Sequence, residues 1–302
     1  MIRSILVPLD GSLFASRAFP LALGLAKYHA ASLALATVYH PLLPSRTQGA
    51  PPIDPSYDND QRASLLEHLD RLAFQASQVG CRDAQAFVLE GVVVDCLEAF
   101  IRDHHIDLVV MSTHGRGGFS RAWLGSVAEG LLRRVSVPLL LTRFKHKMPT
   151  RRQRLFPFTR ALVALDGSPS SERAIDEVIR LCGDAPVHLT LAHVVAPTQT
   201  LLSPLLTSQF EEDVRRSYLE PLAARLLTEG RSVSVEVVVH GHTARALVGL
   251  AKRDGADLIA VSSSGVGGLP RFLMGSVVDK VIRSSLLPVL VHVPAGVEDK
   301  SA

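Results

Sequence analysis

The chain says the same thing twice. Near the start of each half stands one phrase, Val7-Pro8-Leu9-Asp10-Gly11-Ser12 and Val163-Ala164-Leu165-Asp166-Gly167-Ser168. Further on stands a second. It reads Ser112-Thr113-His114-Gly115, nine residues, then Gly125-Ser126, and later Ser262-Ser263-Ser264-Gly265, nine residues, then Gly275-Ser276. An internal repeat fixes the architecture before any residue is given a role. The 302 residues divide into a first domain over 1–145, a basic linker over 146–157 and a second domain over 158–302. Each half is long enough to bury a core of its own.

Short apolar runs alternate with helical patterns. In the first half strands are expected at Ile5–Leu9, Leu33–Tyr39, Ala86–Leu89, Asp107–Met111 and Val137–Leu141. In the second they are expected at Ala161–Leu165, Val187–Val194, Val233–Val239, Asp257–Val261 and Leu287–His292. Helices are expected after Ser12, over Gln61–Gln78 and Val92–His104, and from Ser126. Ser168-Pro169 is a second-half helix start, a capping hydroxyl followed by proline. Residues 40–58 hold five prolines and a glycine and read as a long loop. The offset between halves is 156 at the first phrase and 150 from Gly91/Gly241 onward, so the extra residues lie between the first and third strands.

This alternation predicts an α/β fold. Each half is a doubly wound, flavodoxin-like five-stranded parallel sheet with helices on both faces. Ligands of such sheets bind beyond the carboxyl ends of the strands, where the strand order reverses. If strands one and four flank that point, Asp10 faces the Ser112–Ser126 loop across one crevice. Asp166 faces Ser262–Ser276 across another.

Composition narrows the function classes. A net charge of +3 is too weak to argue for nucleic acid or membrane binding. Cys81, Cys96 and Cys182 are an odd number without metal spacing, as expected of reduced thiols in a cytoplasmic protein. Met1-Ile2-Arg3-Ser4 runs straight into a strand pattern, so no signal peptide is expected. No apolar run reaches the length of a membrane span. Arg143 to Arg154 carries six Lys or Arg, either a solvated linker or a contact for an acidic partner.

The second phrase has the ingredients of a phosphate site. Gly115, Gly117 and Gly118 permit close backbone approach. Gly125-Ser126 opens a helix whose first N–H groups favour an anion, and Arg116 and Arg121 supply charge. Ser126-Val127-Ala128-Glu129 equally fits a capping box, and Ser276 with Asp279 is a looser version. Asp10 and Asp166 can accept hydrogen bonds from a ribose or an adenine amino group, or can stabilise their own turns. The glycine pattern is neither a P-loop nor a dinucleotide fingerprint.

Taken together, Val-Pro-Leu-Asp-Gly-Ser, Met-Ser-Thr-His-Gly-Arg-Gly-Gly-Phe and Leu-Gly-Ser-Val-Ala-Glu resemble the universal stress protein family. Nearly the whole chain resembles a tandem member of its nucleotide-binding branch. The resemblance implies an adenine nucleotide, usually ATP, which can carry Mg2+, in a regulator or sensor of stress. By position it implies contacts from Asp10, Val38, Ser112, His114, Gly115, Arg116, Gly125, Ser126 and Val127. In the second copy the counterparts are Asp166, Val194, Ser262, Gly265, Gly275 and Ser276. It also implies that the last strands pair across a two-fold axis, here within one chain as an internal pseudo-dimer, to which a homodimer of whole chains can be added.

The departures from the family pattern are specific. Ser112 and Ser262 stand where the family has its first glycine. Ser264 and Val266 replace His and Arg in the second copy, so the first site is expected to be the better one. No nucleophile elbow, metal cluster or triad is apparent, which leaves slow ATP hydrolysis at most. His104-His105 and His240-Gly241-His242 read as surface or loop histidines, and Trp123 as a packing residue. Two rivals remain: a nucleotide-free interaction scaffold, and a nucleotide-dependent transferase or hydrolase using His114 or Asp10.

Overall fold

The computed structural model describes residues 1–12, 15–40, 55–81, 83–113, 124–143, 156–197, 204–263 and 274–294. The first half runs β1 (Ser4–Pro8), a 3-10 turn (Ala15–Ala18), α1 (Phe19–His29), β2 (Ser32–Tyr39), α2 (Pro55–Gln78) and β3 (Ala84–Glu90). It ends with α3 (Val93–Asp103), β4 (Leu108–Ser112), α4 (Ser126–Arg134) and β5 (Leu139–Thr142). The second half runs β6 (Arg160–Leu165), α5 (Pro169–Cys182), β7 (His188–Val195) and α6 (Pro204–Val214). A π-helical turn (Arg215–Leu219) leads into α7 (Glu220–Thr228). Then come β8 (Ser232–Val239), α8 (Thr243–Arg253), β9 (Leu258–Ser262), α9 (Ser276–Ser284) and β10 (Val289–His292).

All ten strands join one sheet in the order β3-β2-β1-β4-β5-β10-β9-β6-β7-β8. Within each half the described pairings are parallel, and the order reverses between the first strand and the fourth. Only at the seam does the direction change: β5 and β10 run antiparallel, with Leu140 opposite Leu290. Each half thereby covers the other's open edge, which would otherwise expose unpaired backbone groups.

Strand side chains alternate between two apolar layers. Ile5 and Val7 join the layer under α1, α2 and α5, whereas Leu6 joins the layer under α3, α4, α8 and α9. Both layers cross the seam. Leu140 and Leu290 lie in the first; Leu139, Leu141, Val289 and Val291 lie in the second. The halves therefore share their cores.

Polar contacts reinforce the join. The buried His29 Nε2 lies 2.8 Å from the Leu181 carbonyl, and burial lowers this imidazole's pKa. Arg180 donates to the Asp107 carbonyl at 2.8 Å and pairs with Glu177 at 3.1 Å. Arg143, the first residue of the basic run, donates to the carbonyls of Arg283 and Ser285 at the end of α9. Residues 144–155 of that run lie outside the described residues.

Several sequence boundaries move by a residue or two, and two helix starts move further. α2 starts at Pro55, inside the segment read as loop, because proline suits a first helical position where no N–H is needed. The helix expected directly after Ser12 is delayed to Phe19. Ser12 Oγ instead accepts from the Ala15 N–H at 3.1 Å, ahead of the 3-10 turn.

Candidate functional site

The Asp-Gly-Ser phrase folds identically in both copies. Asp10 Oδ1 accepts from the Ser12 N–H at 2.9 Å, and Asp166 Oδ1 from the Ser168 N–H at 3.0 Å. Gly11 and Gly167 carry φ of +77° and +87°, a conformation that L side chains rarely adopt. The turn-stabilising role of both aspartates is thus real. Asp166 Oδ1 also accepts from the Ser168 hydroxyl at 2.6 Å, and a carboxylate offers about four acceptor positions in all. Ser168 also caps α5, its side chain accepting from the Ser171 N–H.

The second phrase is pinned at both ends. The Gly125 N–H donates to the Thr113 carbonyl at 2.8 Å, and the Gly275 N–H to the Ser263 carbonyl at 3.1 Å. These bonds hold the starts of α4 and α9 beside the ends of β4 and β9.

The capping-box reading is corrected here. Gly125 and Gly275 occupy the N-cap positions, and Ser126 and Ser276 are the first helical residues. Neither helix start has a side-chain cap among the described residues. Glu129 pairs with Arg133 at 2.5 Å and Asp279 with Arg283 at 2.6 Å, so neither acid turns back toward the cap. Among the described residues no side chain caps the first N–H groups of either helix, groups that water or a ligand can satisfy.

In the second half these pieces enclose a cavity of about 270 Å³. Asp166, Val194, Ser262, Gly275 and Ser276, five residues singled out from the sequence, all line it. Val277, the counterpart of Val127, lines it too. Ser262 is buried, and its hydroxyl lies 2.7 Å from that of Ser170, tying the end of β9 to the start of α5.

The first half places Asp10 after β1 and Ser112 at the end of β4, on adjacent strands. Val38 sits near the end of β2, partly buried with Val127 against the same apolar layer. His114, Gly115, Arg116, Gly117, Gly118, Arg121 and Trp123 lie outside the described residues, as do Ser264, Gly265 and Val266.

Sequence reasoning missed Thr243 and Leu247, which line the cavity from α8. They come from a helix that precedes the fourth strand of the half, and no local pattern marks them. It also missed Asp107 and Asp257. Asp107 accepts from the Arg3 N–H at 2.7 Å; Asp257 accepts from the Thr159 N–H at 2.8 Å and the Arg160 N–H at 3.0 Å. Each ties the base of the fourth strand of its half to the base of the first, beneath the crevice.

Each histidine pair expected at the surface or in a loop includes a residue with a structural contact. His104 stacks on Phe100 with ring centroids 3.8 Å apart, and His240 Nδ1 accepts from the His242 N–H at 2.9 Å. No group of three or more potential metal ligands occurs among the described residues. No helix among them is long and apolar enough to cross a membrane.

Tandem doubly wound halves with a glycine-pinned loop at each reversal point define the class, and the sequence comparisons agree. The sequence model of the Universal stress protein family matches residues 1–143 and 157–294. The chain belongs to the universal stress protein family. It is 30% identical over 247 residues to Universal stress protein Rv1996 of Mycobacterium tuberculosis, a match covering 79% of this chain and 75% of that one. It is 31% identical over 186 residues to Universal stress protein Rv2005c of the same organism, covering 61% of each chain. The crystal structure of a universal stress protein from Archaeoglobus fulgidus shares the fold at a TM-score of 0.67 and 22% identity, covering 98% of this chain and 97% of that one.

Proposed function

We propose that the chain binds an adenine nucleotide, ATP foremost, in one crevice per half, and acts as a nucleotide-dependent regulator or sensor in a stress response. One observation carries this reading: the second-half cavity gathers Asp166, Val194, Ser262, Gly275 and Ser276 around one space. Its volume of about 270 Å³ is near the small end of ligand pockets, which start at about 300 Å³. Val194, Leu247 and Val261 offer an apolar wall for a purine. Asp166 offers a carboxylate to a ribose or an amino group. The uncapped start of α9 offers N–H groups and the positive end of a helix dipole to phosphate.

The second copy lacks the His and Arg of the first, yet it retains every element of that arrangement. Both halves are therefore assigned a nucleotide. Mg2+ would arrive with the nucleotide, held mainly through phosphate oxygens. Slow hydrolysis is the most that the site residues support.

A nucleotide-free scaffold is the second reading. Ser262 favours it, because a side chain stands where the family pattern has glycine and its hydroxyl is already engaged by Ser170. Mass spectrometry of small molecules released from freshly purified, denatured protein, followed by ATP titration, separates the two. Released adenine nucleotide and a saturable titration are expected. No nucleotide and a flat titration would leave the scaffold.

A further inference from the structure

The second-half crevice does not end at Ser276. Beyond it lies an open groove of about 700 Å³ between the first turn of α8 and one face of α9. Thr243, Ser276 and Val277 line both spaces, so the two are contiguous. The side chains along the groove are His242, Arg245, Lys280 and Arg283, with no acid among its lining residues. Arg283 is neutralised by Asp279 at 2.6 Å. Arg245 and Lys280 are exposed, and neither has an ion-pair partner among the described residues.

The first half carries a different set of side chains on this face. At the offset of 150, Val92, Asp95, Glu98, Gly130 and Arg134 stand where His242, Arg245, Val248, Lys280 and Ser284 stand. There Arg134 bridges α4 to α3 through Asp95 and Glu98. A Cβ on Gly130 would come within 2.7 Å of Val94, so the two helices meet tightly. In the second half Val94 becomes Ala244, Gly130 becomes Lys280, and the acid of the bridge becomes Arg245. These substitutions remove the interhelical ion pair and its packing glycine. They set two cations of one sign along the groove that opens from the crevice, Arg245 in the first turn of α8 and Lys280 on the second turn of α9.

Like charges on one face repel, so the arrangement favours an anion between them. We propose that the α8–α9 groove binds a multiply charged phosphate chain, either the tail of a nucleotide seated in the adjoining crevice or a free polyphosphate. The charge lost at Val266, where the first copy has Arg116, is supplied here by a different pair of helices. The nucleotide source rests on the function proposed above; the free polyphosphate source does not.

The test is isothermal titration of the full chain with inorganic tripolyphosphate, ATP and adenosine in turn. The variants are the double substitution Arg245→Gln/Lys280→Gln and a charge-matched control on exposed residues elsewhere, Arg102→Gln/Lys252→Gln. Loss of two solvent-facing charges is expected to weaken tripolyphosphate binding about tenfold in the groove variant. The control should bind as wild type does, and adenosine should be unaffected throughout. A parallel loss for ATP assigns the groove to the nucleotide's tail. ATP binding unchanged while tripolyphosphate weakens assigns it to free polyphosphate. Tripolyphosphate binding in a protein that ignores ATP and adenosine sinks the nucleotide reading and leaves the groove standing. No tripolyphosphate binding, or equal weakening in the control, overturns the proposal.

Discussion

The two halves share a backbone plan and differ in what decorates it. Asp10 and Asp166 make the same turn bond, Gly125 and Gly275 the same loop closure, and Asp107 and Asp257 tie the same pair of strands. Yet the helix pair beside each crevice has opposite character. In the first half an Arg134–Asp95 bridge joins the pair; in the second a groove between them carries Arg245 and Lys280. Backbone-determined features survive in both copies because a changed turn or cap would spoil the crevice. Side chains on exposed helix faces carry no such constraint, so there the copies have diverged.

The seam offers the strongest way to break the picture of two halves sharing a core. Leu290 is fully buried opposite Leu140. Leu290→Ala is expected to cost about 2–5 kcal/mol, and urea unfolding followed by circular dichroism should still show one transition. Two transitions, only one of them shifted, would mean that the halves fold independently.

The strand ties come next. Asp257→Ala removes acceptors for the Thr159 and Arg160 N–H groups and the Thr159 hydroxyl, and is expected to cost about 1.5–3 kcal/mol. Asp107→Ala should cost a similar amount. It additionally releases Arg180, which lies 3.6 Å from the Asp107 carboxylate. If either change proves neutral in urea unfolding, the repeated ties do not hold the crevice floor.

A smaller effect separates the halves by pH. Glu177 lies 3.5 Å from His292 and 3.1 Å from Arg180, whereas its counterpart in the first half, 156 residues earlier, is the apolar Leu21. Burial by itself raises the Glu177 carboxyl, but the contacts with His292 and Arg180 outweigh it, and the group sits below its ordinary value. The folded carboxyl is then the stronger acid. Its stabilisation is full above the unfolded value, about 4.3 for Glu, and is lost as pH falls through the lower folded value. Glu177→Gln should flatten the acid limb of a stability–pH curve; an unchanged limb would show that this contact is inert.

The smallest effect is a gain. A carboxylate in the first turn of a helix stabilises it by about 0.3–1 kcal/mol while repelling phosphate. Ser126→Asp and Ser276→Asp should each raise the thermal midpoint slightly. A clear drop would mean that the hydroxyls hold structure that the helix starts do not reveal.

Much of this was legible in the sequence. The repeat, the ten strands and the seam pairing followed from patterning and from the resemblance to the family, because short apolar runs bounded by turn residues have few other solutions. The convergence of Asp166, Val194, Ser262, Gly275 and Ser276 was legible too, since each lies at a strand's carboxyl end or a helix start. Two kinds of feature were not. Capping depends on which residue takes non-helical angles, and Gly125 took the place assigned to Ser126. The α8–α9 groove arises from residues far apart in the chain, Arg245 and Lys280, each of which reads as an ordinary exposed helix residue until the two helices are set side by side.

The most direct test of the central claim, a nucleotide crevice at the same place in each half, is native mass spectrometry of the chain titrated with ATP. Two bound nucleotides on the wild type, falling to one with either Ser126→Asp or Ser276→Asp, is the predicted result. No bound nucleotide, or a single one indifferent to Ser276→Asp, would contradict it.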